Sequence, residues 1–165
     1  MTVAATTELE AINIMLAAIG EAPVNSLTGT VPVDVRLAQS TLTEFNREIQ
    51  SEGWSFNTEI DVTLTRDASN QIALPQNVLR VDANIHQHPT IDPIQRGLKL
   101  YDRLNNKFEF DEDLICTVIY LRTFEEIPEP ARRYINIKAA RVFVDRLVTD
   151  DGLRTYTGQD EVRAR

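Results

Sequence analysis

The 165-residue chain is poor in the side chains from which most chemistry is built: one cysteine, Cys116, and two histidines, His86 and His88. A lone thiol inside an apolar, strand-like run excludes a disulfide framework, and a reducing compartment is the expected setting. No basic-then-apolar leader opens the chain, so no signal peptide is expected. The longest unbroken apolar run, Ile14 to Ile19, falls far short of the roughly 20 residues that span a bilayer, so no membrane partner is expected either. Gly-x-Ser-x-Gly elbows, phosphate loops and dinucleotide fingerprints are all missing. Internal repeats and low-complexity linkers are missing too.

Positive charge is also scarce. The net charge is −8, spread as −5 over residues 1–53, −5 over 54–127 and +2 over 128–165. Such a chain is a poor generic ligand for nucleic acid, because duplex affinity comes largely from neutralised phosphates. The same charge suits solubility, and equally a surface that DNA slides past without sticking. With 42% hydrophobic and 25% charged residues, the composition is that of a globular protein long enough for one core.

What is present is a sharp change of rhythm between Ile49 and Asn57. Upstream, Val35, Ala38, Leu42, Phe45 and Ile49 recur at helical spacing. Gly53 falls where a helix end needs a left-handed residue. Downstream, Trp54, Phe56, Ile60, Val62 and Leu64 occupy even positions, which predicts one apolar strand face from Trp54 to Leu64. Gly53, Trp54 and Phe56 are therefore candidate structural anchors, with Trp54 buried at the joint.

Ahead of this joint, Thr7 and Glu10 predict a capping box, Leu9, Ile12, Leu16 and Ile19 a helical stripe, and Gly20 and Pro23 its stop. A second helix is predicted over about 33–52. Beyond the joint, Thr65 to Asn70 reads as a turn, Ile72–Leu74 as a short strand, and Val78–Ile85 as a weak one. His86 to Pro93 reads as a loop. Leu98–Asp102 and Lys107–Phe110 predict a hairpin, and Leu114–Leu121 a central strand. Pro128 and Pro130 announce a third helix, with Tyr134, Ile135, Lys138, Val142 and Leu147 interleaved with arginines and an end at Asp150–Gly152. The fold class is α+β: a helical bundle built from N- and C-terminal helices with a central antiparallel β insertion. The expected organisation is one domain, helical over 1–53 and 128–165, with the insertion at 54–127.

Candidate chemistry is thin. His86-x-His88 with Asp92 offers metal ligands or a hydrolase site, but a third imidazole is missing and a solvated loop is favoured. Glu109 with Asp111-Glu112-Asp113 lacks the spacing of a calcium loop. Glu125 and Glu126 resemble an acid–base pair but precede a helix start. The basic concentration at Arg132, Arg133, Arg141 and Arg146 is a candidate subunit or portal interface, to be weighed against a solvated helix face. No catalytic, cofactor or metal residue is assigned.

Several segments resemble the tail tubular protein A family, head-to-tail adaptor (gatekeeper) proteins of short-tailed bacteriophages. They are Glu8 to Leu27, with its Ile-Gly-Glu-x-Pro-Val core, and Asn46 to Asn57, with Gln-Ser-x-Gly-Trp-x-Phe-Asn. Weaker matches are Tyr101-Asp102-Arg103 and Glu125 through Arg141. The resemblance implies a structural, non-enzymatic protein without cofactors. It implies a homo-oligomeric ring, a dodecamer, stacked between the portal protein and the tail nozzle (tubular protein B), with tail fibres as a further candidate partner. Genome DNA would pass through the lumen without sequence-specific binding. The location implied is the head–tail junction of the virion, after assembly in the host cytoplasm. In the family the C-terminal helix reaches along the portal; here Gly158 to Arg165 offers only its first turns. The alternative reading is a small non-enzymatic peptide- or protein-binding module that uses the β insertion as an exposed edge.

Overall fold

The computed structural model describes residues 5–84 and 86–147. The expected helix end at Asp150–Gly152 and the tail from Gly158 lie outside the described residues. The chain divides into two compact units: one formed by the chain up to Ile49 and again from Thr123, the other by Gln50–Arg122. Helices therefore flank a central antiparallel β region, as the α+β reading expects.

In the helical unit, α1 (Glu8–Ala18) starts on the capping box that the sequence predicts. Glu10 N donates to Thr7 Oγ1 at 3.2 Å, and Thr7 N donates back to Glu10 Oε2 at 2.9 Å. It ends with Gly20 at φ +81°, whose N–H bonds to Ala17 O while Glu21 N bonds to Leu16 O. These paired bonds satisfy carbonyls that the last turn leaves open. α2 (Val33–Ser51) buries its predicted stripe of Val35, Ala38, Leu42, Phe45 and Ile49. α3 (Glu129–Leu147) buries Tyr134, Ile135, Asn136, Ala139, Phe143 and Val144. The expected Val142 is only half-buried and Leu147 is exposed, because Phe143 and Val144 take the inner face. Burial of side chains such as Phe143 and Ile135 stabilises by about 1.5–3 kcal/mol each.

The β unit holds a three-stranded antiparallel sheet and a hairpin. β1 (Thr58–Leu64), β2 (Val78–Ala83) and β5 (Leu114–Tyr120) pair in the order β1-β5-β2, with β5 central as expected. β3 (Pro93–Arg96) and β4 (Lys99–Asp102) form the hairpin. Its core gathers Ile72, Leu74, Val78, Val81, Leu100, Phe110, Leu114, Cys116 and Val118.

Three expectations about this unit are corrected. First, Trp54 to Asn57 form a turn, closed by a 3.1 Å bond from Asn57 N to Trp54 O, so β1 begins only at Thr58. Second, β4 pairs with β3 and not with Lys107–Phe110, which contributes one bridge from Lys107 to Asp102. Pro93 is tolerated because it is the first residue of its strand. Third, the pairing of β1 shifts between Glu59↔Val118 and Val62↔Cys116, so Ile60 and Asp61 stand opposite Thr117. This bulge breaks the even-position alternation and leaves Ile60 73% exposed.

Candidate assembly surfaces and the helix-to-strand junction

The junction after α2 is held by polar groups more than by aromatics. Gln50 is fully buried. Its side-chain amide donates to Arg122 O at 2.9 Å, and its Oε1 accepts from Arg122 N at 2.8 Å. One side chain thus pairs with a backbone residue as a neighbouring strand would. Asn57, also buried, donates to Gln50 O at 2.9 Å and Tyr120 O at 2.8 Å, and accepts from Trp54 N at 2.9 Å. Gly53 sits at φ +83°, and a Cβ there would meet Ile119 Cδ1 at 2.6 Å. Gly53 therefore occupies the left-handed position expected of it. Trp54 does not have the expected burial: it is 37% exposed, because the turn that replaces the first part of the strand removes the alternation on which that burial rested. Phe56 is half-buried. Gln50 and Asn57 bound the very motif that carries the family resemblance, yet apolar periodicity gives them no weight.

The candidate ligands are taken up separately. His88 is buried; its Nε2 accepts from Ile115 N at 3.0 Å, so Nδ1 carries the proton and donates to Glu112 Oε1 at 2.7 Å. Both ring nitrogens are thus used. Asp92 pairs with Arg103 at 2.6 Å. Asp113 accepts from Arg66 N at 3.0 Å, Glu109 from the Gln71 side chain at 3.3 Å, and Asp111 lies 3.4 Å from Lys107 Nζ. The acids that neighbour one another in sequence thus turn to different partners. Glu126 accepts from both Thr123 N and Thr123 Oγ1, closing a turn ahead of α3. No group of three metal-ligating side chains occurs among the described residues. An open groove of about 240 Å³ is lined by Val81, Asp82, Ala83, Ile91, Asp92, Pro93 and Ile94. It falls below the usual 300–1,000 Å³ of ligand pockets.

Asp102 is a buried hub that site-seeking by sequence misses. Its carboxylate accepts from Asp92 N, Leu104 N, Asn105 N and the Asn105 side chain at 2.6–3.3 Å. Burial pushes its pKa up, but these four donors outweigh it and hold the group below its ordinary value.

The four candidate arginines of α3 do not act as one patch. Arg132 donates to the carbonyls of Ile127 at 2.8 Å and Thr6 at 2.9 Å, and to that of Glu125. It fastens the start of α3. Arg146 bonds to Glu44 at 3.0 Å and to Thr41 Oγ1 at 3.2 Å on α2. Lys138 pairs with Glu48 at 2.9 Å. Arg133 is exposed and Arg141 half-buried. Glu129, at the first turn of α3, accepts from Thr6 Oγ1 at 2.6 Å and Thr6 N at 2.7 Å. These bonds, with Arg132 and Arg133 nearby, hold its pKa below the usual carboxylate value. No helix among the described residues is long and apolar enough to cross a membrane.

Comparison with known proteins gives two matches. The profile of a family described as "Tail tubular protein" matches residues 9–165. The protein named "Tail tubular protein A" from Klebsiella phage KP34 is 32% identical over 157 residues, which cover 93% of this chain and 81% of that protein.

Proposed function

That this chain belongs to the tail tubular protein family is the premise from which we propose its role as a structural protein of a bacteriophage tail, specifically the head-to-tail adaptor of a short-tailed phage. Copies close into a dodecameric ring between the portal protein and the tail nozzle, and genome DNA passes through the lumen. The ring is part of the virion, built in the host cytoplasm, and works without catalysis. The observation that carries this reading is the family match over nearly the whole chain.

The net charge of −8 supports a bore that repels phosphate. So does the pairing of Arg132 with backbone carbonyls and of Arg146 with Glu44 inside the helical unit, which spends hydrogen bonds of two of the four candidate cations. Arg132, Arg133, Arg141 and Arg146 are the candidates for the subunit or portal interface, with Arg133 the exposed one at the start of α3. Gly53, with Trp54 and Phe56 around it, serves as the joint from which the β unit springs.

Electron microscopy of the purified protein mixed with its portal tests the proposal. A ring capping the portal is expected. A stable monomer that leaves the portal bare would overturn it, and a bore lined mainly by Arg132, Arg133 and Arg141 would overturn the repulsive lumen.

A further inference from the structure

The β unit carries two exposed apolar surfaces, one beside the Asp61 carboxylate and one beside the Arg96 guanidinium. β1 pairs with β5, β5 with β2, and β2 packs near the β3–β4 hairpin, so β5 and β2 separate β1 from the hairpin. Among the described residues β5 is the only sheet neighbour of β1, which leaves the other edge of β1 open. The bulge turns Ile60 outward between Glu59 and Asp61, and Asp61 is held at φ +57°. A bulge defeats continuous ladder pairing with another strand. This edge therefore offers an apolar knob beside the Asp61 carboxylate, while Glu59 on its other side is ion-paired to Arg122 at 2.5 Å.

The hairpin offers the complement. Register places Arg96 opposite Lys99 and Ile94 opposite Tyr101, so Arg96, Lys99 and Tyr101 share one face. The Arg96 guanidinium lies 3.6 Å from the centroid of the Tyr101 ring, and Phe108 meets that ring edge-on at 4.9 Å. Stacking uses the face of the guanidinium and leaves its in-plane N–H groups for a carboxylate. Leu98, in the turn that enters β4, is 50% exposed. In an acidic chain this face sets the Arg96 cation on aromatic and aliphatic surface, with Lys99 beside it donating to Gln71 Oε1 at 2.7 Å.

The geometry points to these two surfaces as the halves of one heterologous contact between copies of this chain: the Glu59–Ile60–Asp61 bulge of one copy seats against Arg96, Lys99 and Tyr101 of the next. This rests on the ring reading above and names where one subunit grips another. Different, complementary patches separated across one unit are what head-to-tail closure needs, whereas a self-complementary patch gives a two-fold dimer and stops. A second copy is the occupant because each copy brings both halves, Ile60 to meet the Leu98 and Tyr101 surface and Asp61 to meet Arg96.

Cysteine cross-linking of assembled protein tests it. The double variant Ile60→Cys with Lys99→Cys is expected to give a ladder of covalent multimers on oxidation, with each single variant silent and the buried Cys116 inert. Asp61→Arg should weaken assembly about tenfold, and adding Arg96→Asp should restore it. Rings without a ladder, together with wild-type assembly by the charge-reversed variant, would overturn the contact and leave the ring standing. Cross-linking through Ile60→Cys alone would reveal a symmetric contact and overturn it too. A wild-type chain that assembles neither alone nor in particles would overturn the ring itself, and this contact with it.

Discussion

Asn57 makes three side-chain hydrogen bonds from a fully enclosed position. Removing them takes an acceptor from Trp54 N and a donor from the carbonyls of Gln50 and Tyr120, of which Gln50 O keeps the N–H of Gly53. Asn57→Ala is therefore expected to cost about 2–4 kcal/mol. Trp54→Ala should cost less, because a ring already more than a third exposed forfeits only part of the 3–5 kcal/mol typical of a core tryptophan. Urea unfolding of both variants checks the order; a larger loss for Trp54→Ala would restore the tryptophan as the anchor. Asp102 bears on acid stability. Its folded pKa lies below the unfolded value of about 4. The stabilisation it gives is thus complete above that value and drains away as pH falls through the lower, folded one. Glu129 acts in the same direction. Unfolding midpoints should hold from pH 7 to about 5 and fall below about pH 4. Asp102→Asn, destabilising by about 1–3 kcal/mol at pH 7, should flatten that fall.

Among the elements, the helix ends give the sharpest expectations. Thr7→Ala removes half of a reciprocal cap and should cost about 1 kcal/mol. Gly53→Ala forces a Cβ onto Ile119 at a left-handed residue, costing about 1–2 kcal/mol for the backbone before Ile119 moves. Thermal unfolding measures both, and a neutral Gly53→Ala would mean that the joint has slack. Caps, the α2 stripe and the buried run of β5 were legible because each is a local pattern with one physical reading. The hairpin partner of β4 was not: Pro93 reads as a breaker, and only pairing in space reveals it as a strand start. Ile60 was misassigned to the inner face because a bulge shifts parity by one residue, which alternation alone cannot register. Gln50 and Asn57 stand at the ends of the motif that carries the resemblance, but their structural role is not legible in it: a buried amide has no periodicity, and only the carbonyls it meets reveal what it does.

For the whole molecule, the charge sets an expectation about DNA. An assembled ring should leave duplex DNA unshifted in a gel at about 0.15 M salt, since phosphate binding needs cations that this chain lacks in number. A shift that fades steeply with added salt would mean that cations line the bore after all.

The clasp between Gln50 and Arg122 reaches further than stability. It brings the first and last residues of the β unit within one hydrogen bond of each other, so the unit enters and leaves its host through a single doorway. A segment with adjoining ends has the geometry of an inserted module, whose length can change without pulling apart the residues on either side of it.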